Sequence, residues 1–225
     1  MPRLFSVLLL LLAACASRPL TPAETAFLET THGPGLDTSG IHLTRGALIG
    51  NWPMTRPARP ALACREKIWP PEQGTVTGYT AGVTLFDRIL IAERIWSGDF
   101  LDGYPDTLPL PRAMFLAHEA THVWQWQHRA ETGYAPWKAA AEHGVSDDPY
   151  LFEIAPGRRF FDYGYEQQAS LVEEYVCCRA LDPEGERTHR LRAMLEPVLP
   201  GLAETEVAPQ VLLPWKGVTT AGICD

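Results

Sequence analysis

The segment LAHEATHVW, residues 116–124, constrains this chain most, because it contains the pattern His-Glu-x-x-His. A helix advances 3.6 residues per turn, so His118 and His122 lie one turn apart on one face. Two imidazoles so placed can bind one metal ion, and Glu119 can accept a proton from water on that ion. The alternative is a chance match on an amphipathic helix. The apolar residues that flank the motif favour the metal site.

A second predicted helix, running from about residue 160 to 180, supplies a candidate third ligand. Glu166 lies beside its apolar stripe in the first turn, and a carboxylate there can complete a His-His-Glu site with one position left for water. Ser170 or Glu173, four and seven residues further on, can orient a histidine from behind. The alternative is a solvated helix start, where the helix dipole favours glutamate.

Length and charge restrict the class of protein. A chain of 225 residues with 46% apolar residues can form one domain with a real core. Twenty prolines and eighteen glycines indicate long irregular connections between elements. The formal net charge of -8 argues against nucleic acid as a partner, because phosphates require a basic patch.

The N-terminus has the pattern of an export signal. Arg3 precedes an apolar run from Leu4 to Leu12 that is too short to span a bilayer. The segment LAAC that follows, residues 12–15, resembles the lipobox of bacterial lipoproteins, which is cut before a cysteine that carries the lipids. Residues 1–14 are therefore predicted to be a signal peptide and Cys15 a lipidated residue. An outer-membrane lipoprotein facing the periplasm or the surface would result. The alternative is an ordinary secretory signal with an incidental cysteine.

Four further cysteines are an even number for an oxidising compartment and predict disulfides. A bond between the neighbours Cys177 and Cys178 is geometrically poor. Cys64 and Cys224 are therefore each expected to bond to one member of that pair, and the sequence leaves open which.

The chain divides into three parts by pattern. After the signal, residues 15–60 are rich in Pro, Thr, Gly and Ala and are predicted to be a tether and wrapping segment. Residues 61–225 are predicted to be the folded domain. Within it, one strand is expected over 82–92, and helices over 111–130, 137–143 and 184–199.

Two motifs together resemble a known family. HEATHVWQ, residues 118–125, followed by YEQQA, residues 165–169, is similar to the gluzincin-type zinc metallopeptidases, especially small bacterial metallopeptidases described as vgr-related. The resemblance implies an α+β, zincin-like fold in which a small sheet accompanies the HExxH helix and a second ligand-bearing helix. It also implies zinc held by His118, His122 and Glu166. In better-known gluzincins an Asp follows the ligand Glu by four residues, whereas Ser170 stands here.

The expected function is zinc-dependent hydrolysis of peptide bonds by a lipid-anchored envelope protein, with Glu119 as general base. The expected partners are a peptide or protein substrate and the membrane that holds the lipid on Cys15. Two alternatives remain: a binding or assembly lipoprotein without catalysis, and a hydrolase of a peptidoglycan amide. The additional donor for the oxyanion is expected among four side chains that the sequence does not rank: Tyr134, His143, Tyr163 and Tyr165.

Overall fold

The structure, a computed structural model, describes residues 17–46 and 49–225. The predicted signal peptide and the predicted lipidation site at Cys15 lie outside the described residues. Among the helices of the described ranges, none is both long and apolar enough to cross a membrane.

The described ranges contain seven α-helices and eight strands. The helices are α1 (Pro22–His32), α2 (Cys64–Lys67), α3 (Leu110–Gln127), α4 (Arg129–Thr132), α5 (Pro136–Val145), α6 (Tyr165–Leu181) and α7 (Glu186–Leu195). The strands are β1 (Ser17–Pro19), β2 (His42–Gly46), β3 (Pro53–Pro57), β4 (Thr75–Tyr79), β5 (Gly82–Leu85), β6 (Arg88–Ala92), β7 (Thr107–Pro109) and β8 (Gln210–Leu212). The predicted α+β class with small sheets is confirmed.

Three small sheets surround the helices. The largest has the order β1-β2-β6-β5, in which β2 and β6 are parallel and the two outer pairs are antiparallel. Strands β3 and β4 form an antiparallel pair. Strands β7 and β8 form a parallel pair, in which Leu108 lies opposite Val211. This last pair fixes the C-terminal region beside the start of α3.

The strand expected over 82–92 is wrong as a single element, because it is a hairpin of β5 and β6. The chain turns at Phe86, which has a positive φ of 61° although it is not a glycine. No Gly, Pro or Asn marks this turn, so residue patterns gave no sign of it. The Phe86 ring packs on Trp126, with 4.6 Å between ring centroids, and this contact favours the turn.

Within the predicted tether and wrapping segment, residues 17–46 and 49–57 contain α1 and the strands β1, β2 and β3. Helix α1 begins with a capping box, since the Thr21 side chain accepts from the Glu24 backbone N–H and the Glu24 carboxylate accepts from that of Thr21. The Thr-x-x-Glu pattern of this capping box is present in the sequence, but the prediction followed the Pro-rich composition of the segment instead. The division of the chain at residue 60 remains a prediction.

The core lies between α3, α6 and the central sheet. Helix α3 is buried almost all round from Leu116 to Gln125, as is usual for a central helix. Fully burying one large apolar side chain contributes roughly 2 kcal/mol, so this packing can outweigh the cost of burying polar groups on the same helix. The fully buried apolar residues of α3 and α6 include Leu116, Ala117, Ala120, Val123, Leu171, Val172, Tyr175 and Val176.

Two disulfides join α6 to distant segments, Cys64–Cys177 and Cys178–Cys224. This agrees with the expectation that Cys64 and Cys224 each bond to one of the neighbouring cysteines. The first bond ties the short helix α2 to α6, and the second ties the C-terminal residues to the same helix.

Histidine 32 should make stability depend on pH. It is fully buried and hydrogen-bonded to Thr31 and to Thr121 of α3. Burial, and then the positive charge of Arg179, lowers the pKa of His32 from 6.5 to about 3. The unfolded chain binds the proton more readily, so the stability from neutral His32 is complete above pH 6.5 and is lost as the pH falls from 6.5 towards 3.

Because the unfolded chain takes up this proton, His32 should lower the free energy of unfolding by about 2 kcal/mol between pH 7 and pH 5. Urea denaturation at both pH values measures it. In the His32→Gln variant the pH dependence should be weaker by that amount. An unchanged dependence in the variant would contradict the assignment.

Candidate metal centre

The predicted ligands converge at one point between α3 and α6. The Nε2 atoms of His118 and His122 each lie 3.3 Å from the same oxygen, Oε2 of Glu166. One ligand atom from each of the three residues lies within 4.8 Å of the others, and all three residues are buried. Two imidazole nitrogens and one carboxylate oxygen fit the donor set that zinc prefers.

Each histidine has a second partner that fixes which nitrogen faces Glu166. The Nδ1 atom of His122 lies 2.8 Å from Oε1 of Gln125, and the Nδ1 atom of His118 lies 3.4 Å from Oε2 of Glu173. Because both Nδ1 partners are oxygens, the tautomer with the proton on Nδ1 is the one in which each Nε2 offers its lone pair to a metal ion. Both imidazoles are therefore arranged as metal ligands before any ion binds.

The sequence predicted only part of this supporting layer. Of the two candidates on α6, Glu173 contacts His118, whereas Oγ of Ser170 is buried and makes no hydrogen bond to the described residues. Gln125 is a further supporting residue, and its side chain also donates to Oε1 of Gln168 at 2.9 Å. Its position three residues after His122, on the same face, was the available signal.

Glu119, the predicted base, is buried and fixed against strand β5. Its Oε2 accepts a hydrogen bond from Oγ1 of Thr84 at 2.7 Å. The other carboxylate oxygen lies where a side chain at Gly82 would be, only 2.6 Å from a Cβ placed there. Burial raises the pKa of Glu119, and the neighbouring histidines oppose that rise. A raised pKa suits a group that must accept and then release a proton.

A cleft of about 450 Å³ reaches His118 and Glu119 from the surface. Strand residues Gly82 and Tyr79 lie on its wall, together with His143 and Tyr150. A molecule that enters the cleft can therefore contact one candidate metal ligand and the candidate base together.

The four candidate oxyanion donors are placed differently. His143 approaches the centre, with its Nε2 3.3 Å from Oε1 of Glu166. Tyr134 stacks on His122 with 5.8 Å between ring centroids. The hydroxyl groups of Tyr163 and Tyr165 donate to backbone carbonyls of Glu153 and Thr132.

Tyr150 was missed by sequence reasoning, because it lies in an irregular segment without a motif. Its hydroxyl lies 3.5 Å from Nε2 of His143. Burial raises the pKa of Tyr150 above its ordinary value, and the negative charge of Glu166 adds to the effect. The phenol therefore stays protonated and can donate a hydrogen bond into the cleft.

Helix α5 fixes the position of Glu166. The two carboxylate oxygens of Glu142 accept from the backbone N–H groups of Tyr165 and Glu166, at 2.8 and 3.0 Å. A carboxylate at this end of α6 also has a favourable interaction with the helix dipole. His143, the next residue along α5, is brought to the metal centre by the same contact.

The charges of the centre favour an anionic Glu166. Burial alone would raise the pKa of its carboxyl group, but His122, His118 and His143 together hold that pKa far below its ordinary value. An anionic carboxylate beside two imidazoles is ready to bind a cation.

Comparison with known proteins finds similarity to one protein, VgrG2b. No protein-family model matches it. Over 83 residues, or 36% of the chain, it is 34% identical to the type VI secretion system spike protein VgrG2b of Pseudomonas aeruginosa, of which it covers only 8%. A solved structure, the effector domain of Pseudomonas aeruginosa VgrG2b, matches over 80% of this chain and 83% of that domain, with a TM-score of 0.50 and 20% identity. The two share a fold.

This similarity corrects the functional assignment made from the sequence. Both matches concern VgrG2b, a secretion spike protein with an effector domain, and neither is described as a peptidase or a lipoprotein. The assignment to the gluzincin-type metallopeptidases, and to peptide hydrolysis by a lipid-anchored envelope protein, is therefore withdrawn.

Proposed function

We propose that this chain is an effector-type domain that binds zinc and uses it for hydrolysis. The metal ligands in this proposal are His118, His122 and Glu166, and Glu119 is the general base. The main support is the convergence of the three side chains, because the Nε2 atoms of His118 and His122 each lie 3.3 Å from Oε2 of Glu166.

The surrounding residues support a reactive site rather than a purely structural one. A structural zinc site is normally closed by four protein ligands, whereas catalytic sites have three and an open position. The ligand set here has three members, and the cleft reaches His118 and Glu119. When bound, zinc would lower the pKa of a water molecule and polarise a substrate oxygen.

The protein's own residues then have separate roles. Glu119, held by Thr84, accepts the proton of the attacking water and passes it to the leaving group. His143 and Tyr150 lie on the cleft wall, where each can donate a hydrogen bond to charge that develops on the substrate.

We also propose a zincin-like fold and a location outside the cytoplasm. We describe the fold as zincin-like, because α3 carries the two histidines, α6 carries the carboxylate, and β5 lies beside the candidate base. We place the protein outside the cytoplasm, secreted or associated with the cell envelope. VgrG2b is a spike protein of a secretion system, and the two disulfides suit an oxidising compartment.

The Glu119→Gln variant tests the catalytic role. We expect it to retain zinc and its fold but to hydrolyse its target 10²–10⁴-fold more slowly, because an amide cannot accept the proton. The assay is the growth of bacteria that produce residues 17–225 behind a secretory leader, since the disulfides need an oxidising compartment. The wild-type chain should inhibit growth and the variant should not.

The control is Glu131→Gln, which alters an exposed glutamate of α4. It should inhibit growth as the wild type does, at matched protein levels. Growth inhibition by Glu119→Gln equal to that of the wild type would overturn the role of Glu119. A wild-type chain that leaves growth unaffected would overturn the effector proposal itself.

A further inference from the structure

A line of contacts runs from the metal centre to a disulfide. The Oε2 atom of Glu173, on α6, lies 3.4 Å from Nδ1 of His118. The same oxygen accepts a hydrogen bond from Nη1 of Arg65 at 3.2 Å. Arg65 is the residue after Cys64, which is bonded to Cys177 one helical turn beyond Glu173 on α6.

The helix that carries Arg65, α2, is too short to hold this residue in place without tertiary contacts. Helix α2 has only four residues and no side-chain cap, and such a short helix is not stable alone. Its first backbone N–H groups, at Cys64 and Arg65, donate to the carboxylate of Glu174 on α6. The disulfide and this carboxylate therefore hold α2 in place.

Arg65 also connects the supporting layer to the cleft wall. It is buried, and its Nη2 donates to the backbone carbonyl of Tyr150 at 2.9 Å. Without the guanidinium, Glu173 would lose the one permanently charged partner that it has among the contacts above. The Glu173 carboxylate would then be held less firmly at its 3.4 Å distance from Nδ1 of His118.

We propose that Glu173 is a positioning residue for His118 and that the Cys64–Cys177 disulfide, acting through Arg65, keeps it in place. The affinity of the site for zinc then depends on this bond. The inference rests on the proposed metal site and adds its regulation. Loss of a residue that supports a metal-ligating histidine typically weakens metal binding 10–100-fold.

The chemistry of the switch is thiol–disulfide exchange. Two thiols, Cys64 and Cys177, lose two electrons and two protons to a disulfide-bearing oxidant, which becomes a dithiol as their S–S bond forms. At the site of His118, His122 and Glu166, the reduced chain would bind zinc weakly, and the chain exported to an oxidising compartment would bind it fully. The site would thus become complete after export.

The test measures the zinc dissociation constant of the purified full chain by competition with a chromophoric chelator. The Cys64→Ser/Cys177→Ser double variant should bind zinc at least tenfold more weakly than the wild type. The matched control is Cys178→Ser/Cys224→Ser, which removes the other disulfide and should stay within about twofold. Equal effects in the two double variants, or no effect in either, would overturn the inference.

Two variants with both disulfides intact guard against a general loss of folding. Glu173→Gln and Arg65→Gln should each weaken zinc binding 10–100-fold, and should change the visible absorption spectrum of the cobalt-substituted protein, which reports ligand geometry. Unchanged affinity and spectrum in both would also overturn the inference. If the wild type binds no zinc, the proposed function fails; if it binds zinc and these variants match it, only this inference fails.

Discussion

The Glu166→Ala variant is expected to bind zinc at least about 100-fold more weakly than the wild type. Complete structural zinc sites are worth roughly 10–16 kcal/mol, so losing one ligand of a small set costs about 3 kcal/mol. The remaining histidines, His118 and His122, would keep their Nδ1 partners but lose the only carboxylate among the three proposed ligands. Isothermal titration calorimetry and metal analysis after dialysis measure the loss.

The matched control is Glu131→Ala, at an exposed position of α4. It should bind one equivalent of zinc with unchanged affinity. A Glu166→Ala protein that remains folded and binds zinc as tightly as the control would show that the carboxylate is not a ligand.

The Glu174→Ala variant is expected to lose about 3–5 kcal/mol of unfolding free energy, the largest stability effect predicted here. Glu174 is fully buried and accepts from the backbone N–H groups of Cys64 and Arg65 and from Nε of Arg187, at 2.6–3.0 Å. Removing the carboxylate leaves a partly buried guanidinium and two backbone donors without their acceptor. Urea denaturation under non-reducing conditions measures the change.

Glu184→Ala is the control, since the side chain of Glu184 is 87% exposed. Its unfolding free energy should stay within about 0.5 kcal/mol of the wild type. A loss below about 1 kcal/mol in Glu174→Ala would show that its three donors find other partners.

Much of the geometry of the candidate metal centre could be predicted because its signals are local. The spacing of His118 and His122 follows from the helical period alone, and Glu166 stands at the start of a recognisable amphipathic helix. The structure brings these three residues together, as the sequence predicted.

The remaining parts depend on contacts that residue patterns do not encode. The turn at Phe86 is fixed by packing on Trp126, forty residues away in the chain. Tyr150 and Arg65 lie on an irregular segment and on a four-residue helix, and only tertiary contacts bring them to the cleft. The pairing of β2 with β6 is likewise long-range, so the order within residues 17–57 could not be predicted from composition.

X-ray absorption spectroscopy at the zinc edge of the purified, zinc-loaded protein tests the central claim most directly. The spectrum should show nitrogen and oxygen ligands with two imidazoles, and the His118→Ala/His122→Ala variant should retain no zinc after dialysis. A spectrum with sulfur ligands, or one with no imidazole contribution, would contradict the account.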